Sequence, residues 1–503
     1  MNIAPRRPLF NRQPQSNIYR MFVWVMMILG GVWFIQQVTT GEIKPLFQAT
    51  PTPTRAVESF LLEGDANFKA GNLNNAIAAY REAVRVNPND ADTWAKLARI
   101  ETYSSAFLIT NAERKERLLQ ALESARRAVE LDSESSIAHA ILAFTLDWNA
   151  DDSIYKDDLR QVDKFLAEAE QAALTALLKD NTNTLALAYY AEVLLDQDKW
   201  NEAQQNINQA LAREDADQIM DVHRVNAAVL ETLGQYNLAI SEYDKAIAIE
   251  PNFTFLYLRA GANYRRLAIE ISDPKAARPV YEKSLEYFDK AAKINEQIGV
   301  KDPGPYLSIS RTYSQLGEFF AAARNVQKAL EFQPDNADIY GQLGIVYFRS
   351  RNYEGSIYTL RCAIRGCSGE DSCLGRGLEK CYTDPDLDPK LREVPYEITG
   401  LPISPATIVY YYTYGSVLSA LSRKADNKCE EANQIFSEVK TELSVNPDAY
   451  TDGYQTIISI VQAGEAICQS LADDVVSTPS VGGEAGTSTP EAGMSDMTAT
   501  PSP

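Results

Sequence analysis

Residues Ala70–Pro88 read AGNLNNAIAAYREAVRVNP, and residues Leu233–Pro251 read LGQYNLAISEYDKAIAIEP. Ala76, Tyr80, Ala83 and Pro88 are separated by steps of four, three and five. The same steps recur at Ala239, Tyr243, Ala246 and Pro251, and at Ala322, Val326, Ala329 and Pro334. Steps of three and four put the first three residues of each set on one helical face, and the proline stops that helix. A small, large, small stripe lets two helix backbones approach closely. Upstream lies a second apolar helix, marked by Tyr257, Gly261 and Tyr264, by Tyr306, Ile309 and Tyr313, and by Tyr340, Leu343, Gly344 and Tyr347. Gly71, Gly234 or Gly317 joins the pair, each suited to the left-handed conformation that ends a helix. The chain therefore predicts helical hairpins in series.

These segments resemble the tetratricopeptide repeat, specifically in the two stretches quoted and in 303–336, more loosely elsewhere, over roughly 57–450. From the aromatic slot of the first helix to the first small slot of the second, Phe60 to Ala76, Leu187 to Ala203, His223 to Ala239, Tyr306 to Ala322 and Tyr340 to Ser356 are all sixteen apart. Trp94 to Ala121 and Tyr257 to Ser284 are 27 apart, His139 to Ala169 is 30 and Tyr411 to Ala432 is 21, so four units carry inserted residues. Nine repeats are expected, at 57–90, 91–135, 136–183, 184–217, 220–253, 254–298, 303–336, 337–370 and 408–450. A Cys- and Pro-rich insertion at 371–407 separates the last two, and a capping helix is expected at 451–471, as terminal repeats need. The resemblance implies an all-α, right-handed solenoid.

Residues 1–20 carry Arg6, Arg7, Arg12 and Arg20 with no acidic residue, and MFVWVMMILGGVWFI follows at Met21–Ile35. Extended through Gln36 to Thr40, this run predicts a transmembrane signal-anchor helix at 21–40. A cleaved signal peptide shares the charged start but ends in small residues of the A-x-A kind, and Gln36–Lys44 holds no such site. The arginine bias places the N-terminus in the cytoplasm and the bulk of the chain outside the membrane. A Thr/Pro linker at 41–56 and a Ser/Thr/Pro/Gly tail at 472–503 are poor in bulky apolar groups and are expected to form spacers.

The 503 residues include 68 acidic against 48 basic side chains, a net charge of −20, which disfavours nucleic acid as a partner. Only two His are present, His139 and His223, both in large-residue slots of first helices and read as packing residues. No catalytic, metal-binding or cofactor-binding pattern accompanies them, so neither enzyme activity nor a cofactor is expected. All six Cys lie in the C-terminal third, which in an exported chain reads as disulfides. The midpoint of Cys429 and Cys468 falls in the Asn446–Tyr450 turn, so antiparallel helices joined there would set the two side by side. Cys362, Cys367, Cys373 and Cys381 permit three pairings; a four-Cys zinc site is the rival, although their spacing lacks C-x2-C knuckles.

In the family, the first helix of each pair lines a concave groove that holds a peptide or partner segment. The family's groove offsets select Arg224, Arg265 and Arg311, with Arg266 and Arg349 one residue further round, beside Phe255, Leu258, Leu307, Ile345, Phe348 and Tyr412. Such a face would receive an acidic segment. The N-terminal groove offers Glu58, Asp65, Asp147 and Glu192, interrupted by Arg99. The alternative is that these arginines pair with Asp and Glu of neighbouring repeats. The family's Lys and Asn carboxylate clamp is not recognisable, since its early slots hold Leu61 and Asp65. The expectation is a membrane-anchored extracytoplasmic scaffold for a protein or peptide partner. A second reading, an accessory factor for envelope polysaccharide, would use Tyr410–Tyr412 to stack on sugar, though tyrosine in a helical run more often packs in a core.

Overall fold

The structure, a computed structural model, describes residues 17–39, 55–108, 110–155, 158–376, 396–451 and 453–476. The basic residues before Asn17, most of the Thr/Pro linker, Cys381 and the tail beyond Val476 lie outside them. The chain divides into two units, 1–56 and 57–503. In the first, α1 (Ile18–Thr39) is exposed from Ile18 to Gln36. Its Ile18–Gln37 stretch is long and apolar enough to cross a membrane. A helix of that length extends about 30 Å, the thickness of a hydrocarbon core.

In the second unit the described residues form helices, short 3-10 turns and two isolated bridges. The helices pair as hairpins: α2 (Val57–Lys69) with α3 (Leu73–Val86), α4 (Ala91–Ser105) with α5 (Asn111–Leu131), and α6 (Ser136–Asn149) with α7 (Leu159–Lys179). Next come α8 (Thr184–Asp196) with α9 (Trp200–Leu211), α10 (Met220–Thr232) with α11 (Tyr236–Ile249), and α12 (Thr254–Glu270) with α13 (Pro274–Ile298). The last are α14 (Gly304–Gln315) with α15 (Phe319–Phe332), α16 (Ala337–Arg349) with α17 (Tyr353–Arg365), then, beyond the short α18 (Gly369–Gly375), α19 (Ile408–Leu421) with α20 (Cys429–Val445). A closing helix, α21 (Tyr454–Val476), packs on α19 and α20.

The stripe residues Ala76, Tyr80, Ala83, Ala239, Tyr243, Ala246, Ala322, Val326 and Ala329 are all at most 1% exposed, so each second helix meets its first along this face. Small residues opposite make room: a Cβ on Gly261 would stand 2.6 Å from the Phe288 ring. The inserted residues of the second, third and sixth repeats lengthen the second helices, α5 and α7 to 21 residues and α13 to 25, against 14 in α3 and α11. In the last repeat they go partly into the Ser422–Lys428 connection. Two positions before each second helix, Gly71, Gly234 and Gly317 adopt φ of 77°, 71° and 74°. Asp198 and Arg351 hold the same slot at φ 59° and 62°. That conformation costs a side-chain-bearing residue about 1 kcal/mol relative to glycine.

At the C-terminal end Cys362 is bonded to Cys367, and Cys429 to Cys468 with their Cα atoms 5.4 Å apart. The first bond takes two of the four thiols that a zinc site would need. Among the described residues no group of His, Cys, Asp and Glu is arranged to hold a metal ion.

Candidate functional site

The first helices α4, α6, α8 and α10 stand side by side and turn Arg99, Phe144, Trp148, Glu192, Asp221 and Arg224 toward the concave side. That side is closed by the chain itself. Asn252, in the turn before α12, donates from its Nδ2 to the Lys69 carbonyl at 2.9 Å, and the Phe68 and Phe253 rings lie 5.8 Å apart. Gly71 is required here twice over, because its φ is positive and a Cβ would fall 2.5 Å from the Asn252 carbonyl oxygen. The first repeat thus meets the entrance of the sixth. Deeper in, Tyr103 stands edge-on to Phe253 at 4.9 Å and near-parallel to Phe255 at 6.0 Å.

Charges fill the centre of this closure. Asp221, fully buried, accepts hydrogen bonds from Arg99 and from the Tyr103 hydroxyl. Arg99 also donates to the Tyr189 hydroxyl at 3.2 Å. Arg224 forks onto both oxygens of Glu192, which accepts the Trp148 indole N–H at 3.2 Å. Arg224 is only 5% exposed, so its assignment to an open groove is corrected: superhelical closure turns it into an internal counter-ion. Phe255 is likewise taken up by Tyr103, and Glu192 and Asp147 belong to the same interior. Asp65 accepts from the Tyr80 hydroxyl, while Glu58 stays exposed in the first turn of α2.

Asp147 is 2% exposed, and neither carboxylate oxygen has a hydrogen-bond partner among the described residues. Burial, reinforced by the charges of Asp196 and Glu192 and offset by Arg224, raises its pKa well above the usual carboxylate range. An acid whose folded pKa is raised contributes stability below its unfolded pKa, near 4, and loses it as pH climbs toward the folded value. Asp147→Asn removes that loss. The variant should melt near the parent at pH 4 and several degrees above it at pH 8, where the parent alone must bury a charge or take up a proton on folding. Parallel melting curves at both pH values would refute this.

The histidines sit in packing positions. His223, 1% exposed, faces Glu242 at 2.7 Å through Nδ1, and His139 meets the Ser133 carbonyl at 3.1 Å. Burial would raise the Glu242 carboxyl, but hydrogen bonds from His223, Lys245 and Asn226 outweigh it and hold it at about 2. Tyr410 and Tyr411 are 6% and 4% exposed, with hydroxyls bonded to Asp338 and to the Leu401 carbonyl, each at 2.7 Å. A sugar-stacking platform cannot use those two rings.

From the sixth repeat onward the basic side chains are placed differently. Arg265 donates to the Ser308 carbonyl at 3.2 Å and lies 5.5 Å from the centre of the Phe288 ring. Arg266 pairs with Glu231 of the preceding repeat, as does Arg259 at 3.1 Å. Arg311 is exposed and has no carboxylate within ion-pairing distance among the described residues. Burial, together with the like charges of Arg311 and Arg266, pushes the Arg265 guanidinium down to about 10. Leu258, Leu307 and Phe348 are partly buried, Arg349 is exposed, and Tyr412 and Ile345 border the same core. The pairing of arginine with neighbouring acids therefore applies to Arg224 and Arg266, while Arg265 and Arg311 share one uncompensated positive surface. Tyr103 and Asp221, central to the closure, escaped the spacing rules because their partners lie more than a hundred residues away.

The hairpin array defines the class, an all-α repeat solenoid. Family models described as "TPR repeat" and "Tetratricopeptide repeat" match residues 64–100 and 227–253. The chain is a tetratricopeptide-repeat protein. It is 24% identical over 144 residues to anaphase-promoting complex subunit 3 of Schizosaccharomyces pombe, covering 28% of this chain and only 19% of that protein's length. Among solved structures, a thermophilic TPR protein of Thermus thermophilus, TTC0263, shares 18% identity over 41% of this chain and 98% of its own, with a TM-score of 0.33. The human IFIT1 dimer with m7Gppp-AAAA shares 14% identity over 86% and 93%, with a TM-score of 0.47.

Proposed function

We propose that this protein is a non-catalytic scaffold, held to a membrane by α1 with its repeats outside the cytoplasm, that captures an acidic segment of a partner protein on the concave face of the sixth to ninth repeats. One observation carries the binding reading: neither Arg265 nor Arg311, whose like charges act on each other, has a carboxylate within ion-pairing distance among the described residues, in a chain of net charge −20. An anionic ligand would relieve that repulsion, and forked guanidinium groups suit carboxylates geometrically. The arginines before the apolar run and the disulfides support the placement outside the cytoplasm.

Photocrosslinking in intact cells from a reactive residue beside Arg311 should capture a discrete partner through an acidic peptide. The R265Q/R311Q variant should lose that crosslink about tenfold or more, the value of one or two charge-assisted hydrogen bonds, with an unchanged melting temperature. Undiminished capture would remove the groove from the reading. The same membranes should keep the protein through carbonate washing, and release into the wash would refute the anchor.

A further inference from the structure

Between the turns of the seventh and eighth hairpins lies an open cleft of about 470 Å³, which Arg349 of the groove set borders. Phe319 and Phe320, at the start of α15, lie on one side of it, and Arg324, Arg349 and Arg351 line it as well. Phe319 is packed into the core, whereas Phe320 is 83% exposed. None of the three guanidinium groups has a carboxylate within ion-pairing distance among the described residues. Glu318, the acid that also lines the cleft, is engaged by Arg278 at 2.9 Å.

Arg351 adds an independent observation. It occupies the left-handed slot that glycine fills in the first, fifth and seventh hairpins. Glycine would adopt that conformation more easily, and the Arg351 side chain makes no hydrogen bond or ion pair within the described protein. A residue held in that conformation without a polar side-chain partner among the described residues points to use elsewhere.

We propose that this cleft binds an acidic peptide segment of a partner protein, with carboxylates on Arg324, Arg349 and Arg351 and a neighbouring apolar side chain on Phe320. The charge complementarity is local: three unpaired cations stand together on a chain that is acidic as a whole, so an acidic segment is attracted here and repelled by most of the remaining surface. The ring beside the arginines selects segments in which acidic residues alternate with apolar ones. The proposal shares the scaffold reading but uses a surface that the groove offsets of the family do not reach at Arg324 and Arg351.

The probe is a fluorescein-labelled twelve-residue peptide of alternating Glu and Leu, with a Gln and Leu version as control. Binding is read by anisotropy on the full chain in detergent, in the R265Q/R311Q background so that the concave cluster is silenced. That background should bind the Glu peptide and not the control, and the affinity should fall with salt. Adding R324E and R351E should weaken binding about tenfold or more. R351G alone should bind more weakly while melting about one to three degrees higher, a split that a purely structural role would not produce. No loss on adding R324E and R351E would overturn the cleft, as would equal binding of the Gln peptide. A background that already fails to bind would also overturn it, while leaving the concave face as the site.

Discussion

Asp221→Ala should open the N-terminal half of the solenoid, at a cost of about 3–5 kcal/mol, the range for breaking a buried ion pair by removing one partner. Asp221 is fully buried and receives Arg99 and Tyr103, with Arg224 Nε 3.6 Å away. Without the carboxylate, Arg99 loses its ion-pair partner, Arg224 keeps Glu192, and the Tyr103 hydroxyl loses its acceptor. The effect should be regional, because stability in a repeat array is a sum of local and neighbour contributions. Amide exchange should accelerate across α2 to α4 and at Phe253 and Phe255, with α16 to α21 unchanged. Asp221→Asn, which keeps an acceptor but not the charge, should fall between. Equal protection of α2 to α4 in the parent and the Ala variant would contradict the closure.

Serine at both Cys429 and Cys468 should release α21. The bond closes a loop with a sequence separation of 39, for which the chain-entropy account gives about 4 kcal/mol. Packing also holds α21: Ile457, Val461 and Cys468 are buried, and Gly464 lets the helix lie against the Phe436 ring, where a Cβ would come within 2.3 Å. Protease cutting between Pro447 and Val476 and faster exchange in α21 are the expected signs. A variant whose α21 is protected as well as the parent's would show that packing suffices. The first six repeats should melt unchanged, which separates this result from that of Asp221.

The hairpins were legible in the residues because every cue for them is local. Ala239, Tyr243 and Ala246 lie within one helix, Gly234 stands before it and Pro251 after, so their periods can be read without knowing any distant neighbour. The structure places Arg351 and Asp198 where other hairpins have glycine, a signal the sequence carries once the repeats are set in register. The residues selected for the groove end in different surroundings, Arg224 in the interior and Arg311 at the surface. Offsets from the aromatic slot find the inward face of a helix, and they found Arg224, Arg265 and Arg311 alike. They do not say whether that face opens to solvent or to another part of the same chain.

Helix identity, hairpin pairing and repeat boundaries thus follow from the order of residues, since contacts between positions three or four apart decide them. The path of the array does not. Each hairpin turns relative to the last by an angle set by the side chains at their shared interface, and these small rotations accumulate over six repeats until Asn252 reaches Lys69 and Tyr103 reaches Asp221. That accumulated pitch made Arg224 an interior counter-ion and left Arg311 exposed, although both fall at groove-facing offsets of their first helices, one residue after His223 and five after Tyr306.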